Sequence, residues 1–211
     1  MNVVFKVYDD GVGFRYEIPE QAHLDSILIT NELTEFNFAK NLNSWFTPAN
    51  FESYEQEYQN KLLNEIESAN TPATFESENE VYISIHEANL TNYAGMTLLK
   101  IEGEELSFKS NLVPWPNGVK VKTKTPMVSP WRTIQITDSA EKLVESNLIL
   151  NLNEPNKLIE TSWIQPMKYI GIWWGMHLGT HTWTLGDAHG ATTTATKKHI
   201  DFASENNISG V

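Results

Sequence analysis

Val3, Phe5 and Val7 recur at every second position, and after Asp10-Gly11 the same period returns in Phe14, Tyr16 and Ile18. A period of two that reverses at residues tolerating positive φ predicts a β-hairpin. Ile27-Leu28-Ile29 reads as a further short strand. The stretch around Trp45 and Tyr58 is rich in Asn and Glu and has no clean period, so it reads as strands with a long loop and a short helix near residues 57–67. Strands are predicted at residues 80–86, at 96–101 and 106–111 around the turn Glu102-Gly103-Glu104, and at 120–124, 131–137 and 148–152. Short strands separated by turn residues in this way predict a mainly β chain built as an antiparallel β-sandwich.

The pattern changes after Pro166. Residues 168–174 form an almost unbroken apolar run, the mark of a strand buried on both faces in a parallel sheet. A glycine-spaced loop follows at 175–190, and residues 191–207 read as a helix, with Ala195, His199, Phe202 and Ala203 at helical spacing and Gly210 just beyond. That is one strand-helix unit. A (β/α)8 barrel takes about 250 residues, far more than residues 168–211 supply. The hairpin begins almost at Met1, and Ile208-Ser-Gly-Val211 reads as a helix exit entering a new strand, so both ends are expected to cut through longer elements.

Composition narrows the function classes. The 211 residues carry 27 acidic and 15 basic side chains, a formal charge of −12, which disfavours a phosphate-tracking nucleic-acid surface. The acidity is uneven. Residues 1–110 hold 19 acids and 6 bases, whereas residues 111–211 hold 8 and 9 together with six of the seven tryptophans. There is no cysteine, hence no disulfide framework, thiolate zinc site or cysteine nucleophile. No basic-then-apolar leader opens the sequence, and no run approaches the eighteen or so apolar residues of a membrane-spanning helix.

Few residues stand out chemically. Along the strand at 80–86, alternation puts Val81, Ile83 and Ile85 on one face, and one more step adds Glu87. Either the strand ends at His86 and Glu87 turns to solvent, or its carboxylate sits against an apolar face and ligates a hard cation such as Ca²⁺. His177 and His181 are four apart, but Gly175, Gly179 and Gly186 argue against the helix that a zinc pair would need, and no acidic third ligand accompanies them. Trp173, Trp174 and Trp183 flank these histidines, as core residues or as aromatic faces beside polar donors. Asn89-Leu-Thr91 and Asn207-Ile-Ser209 match the glycosylation triplet, a pattern common by chance. No phosphate loop, Gly-x-Ser-x-Gly elbow or paired carboxylates for acid-base work can be singled out.

Several segments together resemble glycoside hydrolase family 97, the bacterial α-glucosidase and α-galactosidase family. They are Val7-Tyr-Asp-Asp-Gly-Val-Gly-Phe-Arg-Tyr16, Ile85-His-Glu-Ala88 with Tyr93-Ala-Gly-Met96, and Ser129-Pro-Trp-Arg132. Leu148-Ile-Leu-Asn-Leu-Asn153, Thr161-Ser-Trp-Ile-Gln-Pro166 and Tyr169-Ile-Gly-Ile-Trp-Trp-Gly-Met-His177 complete the set. The resemblance implies residues 1–153 as an N-terminal β-sandwich domain lacking its beginning, 154–167 as a linker, and 168–211 as the truncated start of a (β/α)8 catalytic barrel. It also implies hydrolysis of terminal α-linked sugars from an oligosaccharide substrate, with Ca²⁺ as cofactor and Glu87 as a calcium ligand. The remaining ligands and the catalytic carboxylates would then lie outside these residues, leaving no catalytic residue here and an inactive fragment. Trp173, Trp174 and His177 would line the substrate, and the intact protein would be periplasmic or secreted. The alternative is a non-catalytic carbohydrate-binding β-sandwich.

Overall fold

The computed structural model describes residues 1–78 and 80–211, and these divide into two compact units, residues 1–155 and 156–211. In the first unit the strands are β1 (Asn2–Tyr8), β2 (Gly11–Ile18), β3 (Ser26–Ile29), β4 (Glu35–Asn37), β5 (Asn43–Phe46), β6 (Gln59–Leu62) and β7 (Ser68–Asn70). They continue as β8 (Ala73–Glu76), β9 (Tyr82–Ala88), β10 (Met96–Lys100), β11 (Ser107–Leu112), β12 (Val121–Lys124), β13 (Met127–Val128) and β14 (Trp131–Thr137). Two short helices, α1 (Ala140–Glu145) and α2 (Leu148–Leu152), close the unit.

One large sheet runs β1-β2-β14-β9-β8-β5-β6 with β13 also on β2; a second runs β4-β11-β10-β7, and β12 pairs with β3. Every ladder is antiparallel. Between the two larger sheets lies a continuous apolar core in which Phe46, Phe75 and Ile85 from one meet Phe36, Met96, Leu98, Phe108 and Leu112 from the other. The β-sandwich expected from the strand pattern is therefore formed.

The opposite face of the large sheet is covered by α2, where Leu148 and Leu152 bury against Ala88 and Trp131. Here the expectation of a strand at 148–152 is overturned: these residues form a helix. Its apolar positions lie one turn apart and face the sheet together, and the Asp10 carboxylate caps its start. One Asp10 oxygen accepts from Ser146 Oγ, Asn147 N and Leu148 N at 2.7, 3.0 and 3.1 Å. The hairpin turn is set by Tyr8 opposite Gly11. A Cβ on Gly11 would run into the Ile134 carbonyl, and one on Gly13 into the Leu152 side chain, so both glycines let neighbouring backbone and α2 approach β2.

The predicted helix at 57–67 is instead β6 followed by a single 3-10 turn at Leu63–Glu65. In that turn Leu63 is buried and the Glu65 carboxylate accepts from Leu62 N.

The second unit holds α3 (Trp173–His177) and α4 (Thr193–Glu205), the latter capped by Thr192, whose hydroxyl accepts from Ala195 N. The strand expected at 168–174 does not form as a ladder. Tyr169 makes one parallel bridge to Gly210 across α4, with Ile170 N donating to Gly210 O, and then the chain turns into α3. A parallel strand needs hydrogen-bonded neighbours, and among the described residues only the segment after α4 offers one. The strand of the expected strand-helix unit is thus reduced to this one bridge, which joins the segments on either side of α3 and α4.

Candidate functional site

Glu87 lies inside β9, one residue short of its end, with Ile83 and Ile85 in the same alternating phase. It does not turn to solvent: it is 8% exposed. Directly across the ladder in β14 stands Arg132, which is 0% exposed. From the segment between β3 and β4 comes a second carboxylate, Glu32, also buried, its backbone pinned by Ser110 Oγ donating to Glu32 O at 2.7 Å. Arg132 grips Glu32 with a two-pronged fork, Nε to Oε1 at 2.8 Å and Nη2 to Oε2 at 2.7 Å, and spends Nη1 on Glu87 Oε2 at 2.6 Å.

The two carboxylates differ in how fully they are satisfied. Each carboxylate has about four acceptor positions. Glu32 fills all of them, because Thr34 Oγ1 donates to Oε1 at 2.8 Å and Tyr93 Oη to Oε2 at 3.0 Å beside the two bonds from Arg132. Glu87 fills half, with Arg132 on one oxygen and Met96 N on the other at 3.1 Å. Burial alone would raise both acids. For Glu32 the hydrogen bonds and charge of Arg132 outweigh burial and hold it below the ordinary carboxylate value. For Glu87 burial wins over Arg132 and Met96 N, and its pKa is raised. With both carboxyls ionised, two acids on one guanidinium leave the triad with one negative charge in excess, and Glu87 is the acid whose charge burial disfavours.

The loop joining β9 to β10 wraps this cluster. Asn89 and Asn92 both adopt left-handed φ, at 55° and 51°, a conformation that asparagine tolerates better than most residues. Between Asn92 and β10, Tyr93 lays its ring 5.6 Å from the Arg132 guanidinium. Burial and then the charge of Glu32 push the Tyr93 phenol well above its usual pKa, so it acts as a hydrogen-bond donor throughout the ordinary pH range. Gly95 lies beside the cluster, where a Cβ would make only an ordinary contact, 3.7 Å, with Glu87 Oε1. Tyr93 and Gly95 also line a cavity of about 750 Å³, together with Trp115, Lys120 and Lys122. Trp115 is half exposed, with the Lys122 ammonium 4.9 Å from its ring.

Calcium prefers several oxygen ligands. Glu87 retains two acceptor positions, is not wholly shut off from solvent, and belongs to a triad with two acids on one base, so its donor chemistry fits a hard cation as one ligand among several. Glu32, saturated, has no lone pair to offer. Among the described residues no group of three or more His, Asp or Glu is placed to hold a metal ion.

In the second unit α3 brings Trp173, Trp174 and His177 together. Trp173 Nε1 donates to His177 Nε2, and the His177 ring lies 5.6 Å from Trp173 and 5.9 Å from Trp174, centroid to centroid. Trp183 adds an edge contact to Trp173 at 6.0 Å. His181 does not join His177 in a pair; its Nδ1 hydrogen-bonds Thr180 Oγ1. All three tryptophans are more than half exposed, so within this unit they form a surface and not a core.

Sequence reasoning found Glu87 but gave no role to Arg132, Tyr93 or Glu32. Arg132 was open to the same test, since Arg132, Ile134 and Ile136 share one phase of β14.

Residues 1–155 match the family model described as Glycosyl-hydrolase 97 N-terminal. A retaining alpha-galactosidase of Bacteroides thetaiotaomicron is 26% identical over 98% of this chain and 35% of its own length. A solved glycoside hydrolase family 97 enzyme from Pseudoalteromonas sp. strain K8, in complex with acarbose, is 50% identical with a TM-score of 0.82, covering 98% of this chain and 31% of that one. A beta-arabinopyranosidase at 23% identity and TM-score 0.70 shares the fold. The chain spans about a third of the length of these relatives. With most of its residues matched by that family model, the chain belongs to glycosyl-hydrolase family 97.

Proposed function

We propose that this chain is the sandwich and barrel entrance of an exo-acting, calcium-dependent glycoside hydrolase that removes terminal α-linked sugars from oligosaccharides. The observation that carries the reading is Glu87: a buried carboxylate with half its acceptor positions open, in a cluster of two acids and one base. Bound there among further ligands, Ca²⁺ would supply Lewis-acid stabilisation of developing negative charge. The residues of this chain do the rest of what falls to them: Arg132 and Met96 N orient the Glu87 carboxylate, and Trp173, Trp174 and His177 offer an aromatic and polar surface suited to a sugar ring. The relatives' names support an α-galactoside or related α-glycoside as substrate, and the Pseudoalteromonas enzyme has been seen with acarbose and with panose.

The test is turnover of aryl α-glucosides and α-galactosides by the full-length protein, with and without a calcium chelator. Chelation is expected to abolish activity and added Ca²⁺ to restore it, while Glu87→Gln raises the Ca²⁺ requirement. Activity indifferent to both would end the calcium reading. Residues 1–211 alone are expected to turn over neither substrate, because no pair of catalytic carboxylates can be assigned in them. The intact protein is expected in the periplasm or outside the cell, which fractionation of the producing bacterium checks. Saturable oligosaccharide binding by an intact protein with no turnover would favour a carbohydrate-binding sandwich instead.

A further inference from the structure

The geometry points to Glu32 as a residue that sets the cation affinity of Glu87 without touching the cation. This rests on the reading of Glu87 as a calcium ligand. All four acceptor positions of Glu32 are occupied by Arg132, Thr34 and Tyr93, so it cannot ligate. What it does is hold the guanidinium. Two of the three Arg132 nitrogens, Nε and Nη2, are committed to Glu32 in a planar fork, a geometry that arginine and carboxylate match well, and the third, Nη1, donates to Glu87.

The consequence is electrostatic. A divalent ion at Glu87 would sit beside a fully buried guanidinium, an arrangement that repels unless the positive charge is cancelled nearby. Glu32 cancels it, so the cation meets a cluster of net charge −1. Removing the Glu32 charge turns the cluster neutral and leaves Arg132 with Glu87 as its only charged partner. Tyr93 and Thr34 keep Glu32 in place from two sides, and Tyr16 Oη, 2.8 Å from Thr34 Oγ1, extends the support to β2. Glu32 is thus a positioning residue acting through Arg132.

The experiment is calcium calorimetry on the full-length protein, wild type against Glu87→Gln, Glu32→Gln and Tyr93→Phe, with melting temperatures recorded beside each Kd. A unit charge changed within a few ångströms in a poorly solvated site is expected to weaken Ca²⁺ binding about tenfold or more in Glu32→Gln. Tyr93→Phe removes one hydrogen bond from Glu32 but leaves its charge, and its Kd is expected within about threefold of wild type. If Glu87→Gln loses affinity and Glu32→Gln does not, the role of Glu32 is refuted while Glu87 stands as a ligand. If Glu87→Gln binds as wild type, the calcium reading itself fails. An equal loss in Tyr93→Phe and Glu32→Gln would show that packing and not charge governs affinity, and would also overturn the inference. Should Glu32→Gln not fold, Arg132→Lys carries the test: it keeps the cluster at net charge −1, so a Kd within about threefold of wild type is expected, and a tenfold loss would show that fork geometry and not charge governs affinity and would overturn the inference.

Discussion

Replacing Arg132 by methionine should destabilise the sandwich in a way that depends on pH. The guanidinium makes three hydrogen bonds of 2.6 to 2.8 Å to two buried carboxylates, and methionine leaves both acids buried and unpaired. Breaking a buried ion pair from one side costs about 3–5 kcal/mol, and here two partners are orphaned. An upper bound comes from protonation: neutralising a carboxyl of ordinary pKa costs about 1.4 kcal/mol per pH unit, hence roughly 4 kcal/mol per group at pH 7 and about 1 at pH 5. The loss at pH 7 therefore falls between about 4 and 7 kcal/mol, and at pH 5 protonation offers both acids an escape costing about 2 kcal/mol together.

The sign follows from linkage. In the variant both carboxyls titrate above their unfolded values, so the penalty is fully felt well above pH ~4.3 and fades as pH falls towards it. The wild-type Glu32 runs the other way, because its lowered pKa gives stability that is present above pH ~4.3 and is lost as pH falls. Calorimetry of the full-length protein at pH 7 and pH 5 is the assay. At about 2–4 °C per kcal/mol for a domain of this size, the sandwich transition should drop by roughly 10 °C or more at pH 7 and by less than half as much at pH 5. A triple variant that also carries Glu32→Gln and Glu87→Gln should recover much of the loss, since no buried charge remains. A drop under about 3 °C at pH 7, or an equal drop at both pH values, would refute the account.

Other outcomes are expected. Asp10→Ala frees three donors at the start of α2 and should cost about 1–2 kcal/mol, read as a lower melting temperature of the sandwich. Gly13→Ala forces a Cβ into Leu152 and should cost about 1–3 kcal/mol, and the double variant with Leu152→Ala should lose less than the sum of the two single losses; additive losses would show that the two do not touch. Leu98, fully buried between the sheets, should cost about 2–5 kcal/mol as Leu98→Ala by the same measurement. In the full-length enzyme Trp173→Ala should raise KM by roughly 2–10-fold with kcat little changed, as loss of an aromatic contact predicts, and an unchanged KM would remove Trp173 from the substrate surface.

Where strands carry apolar residues on one face, the period of two was legible: β1, β2, β10, β11 and β14 lie within a residue or so of where alternation puts them. It failed where polar residues occupy buried positions. In β5 the inward residue Ser44 is 0% exposed, and in β7 Asn70 is 2% exposed because its side chain donates to Pro48 O and accepts from Asn50 N. Polar groups can be buried once their hydrogen bonds are satisfied, so hydrophobicity alone cannot mark such strands. The 148–152 segment failed for a different reason: five residues are too few for either period to declare itself, and the decisive partner, Asp10, lies more than 130 positions away.

The same limits explain why one arm of the charged cluster was visible and the other was not. Glu87 breaks the apolar phase of β9, and Arg132 breaks that of β14; both violations can be read from alternation, and together they would have suggested a cross-strand pair in a sheet interior. Glu32 sits outside any periodic element, among residues that look like an ordinary polar loop. Its burial is a tertiary fact, imposed by Arg132 reaching past Glu87 to a second acid. A strand interior cannot hold a lone arginine any more cheaply than a lone glutamate. Once both sit in facing register, the remaining question is charge balance, and two acids on one base leave an excess negative charge beside the left-handed loop. What sets Glu87 apart is therefore not its burial, which Arg132 accounts for, but the half of its hydrogen-bonding capacity that no described residue of the sandwich uses.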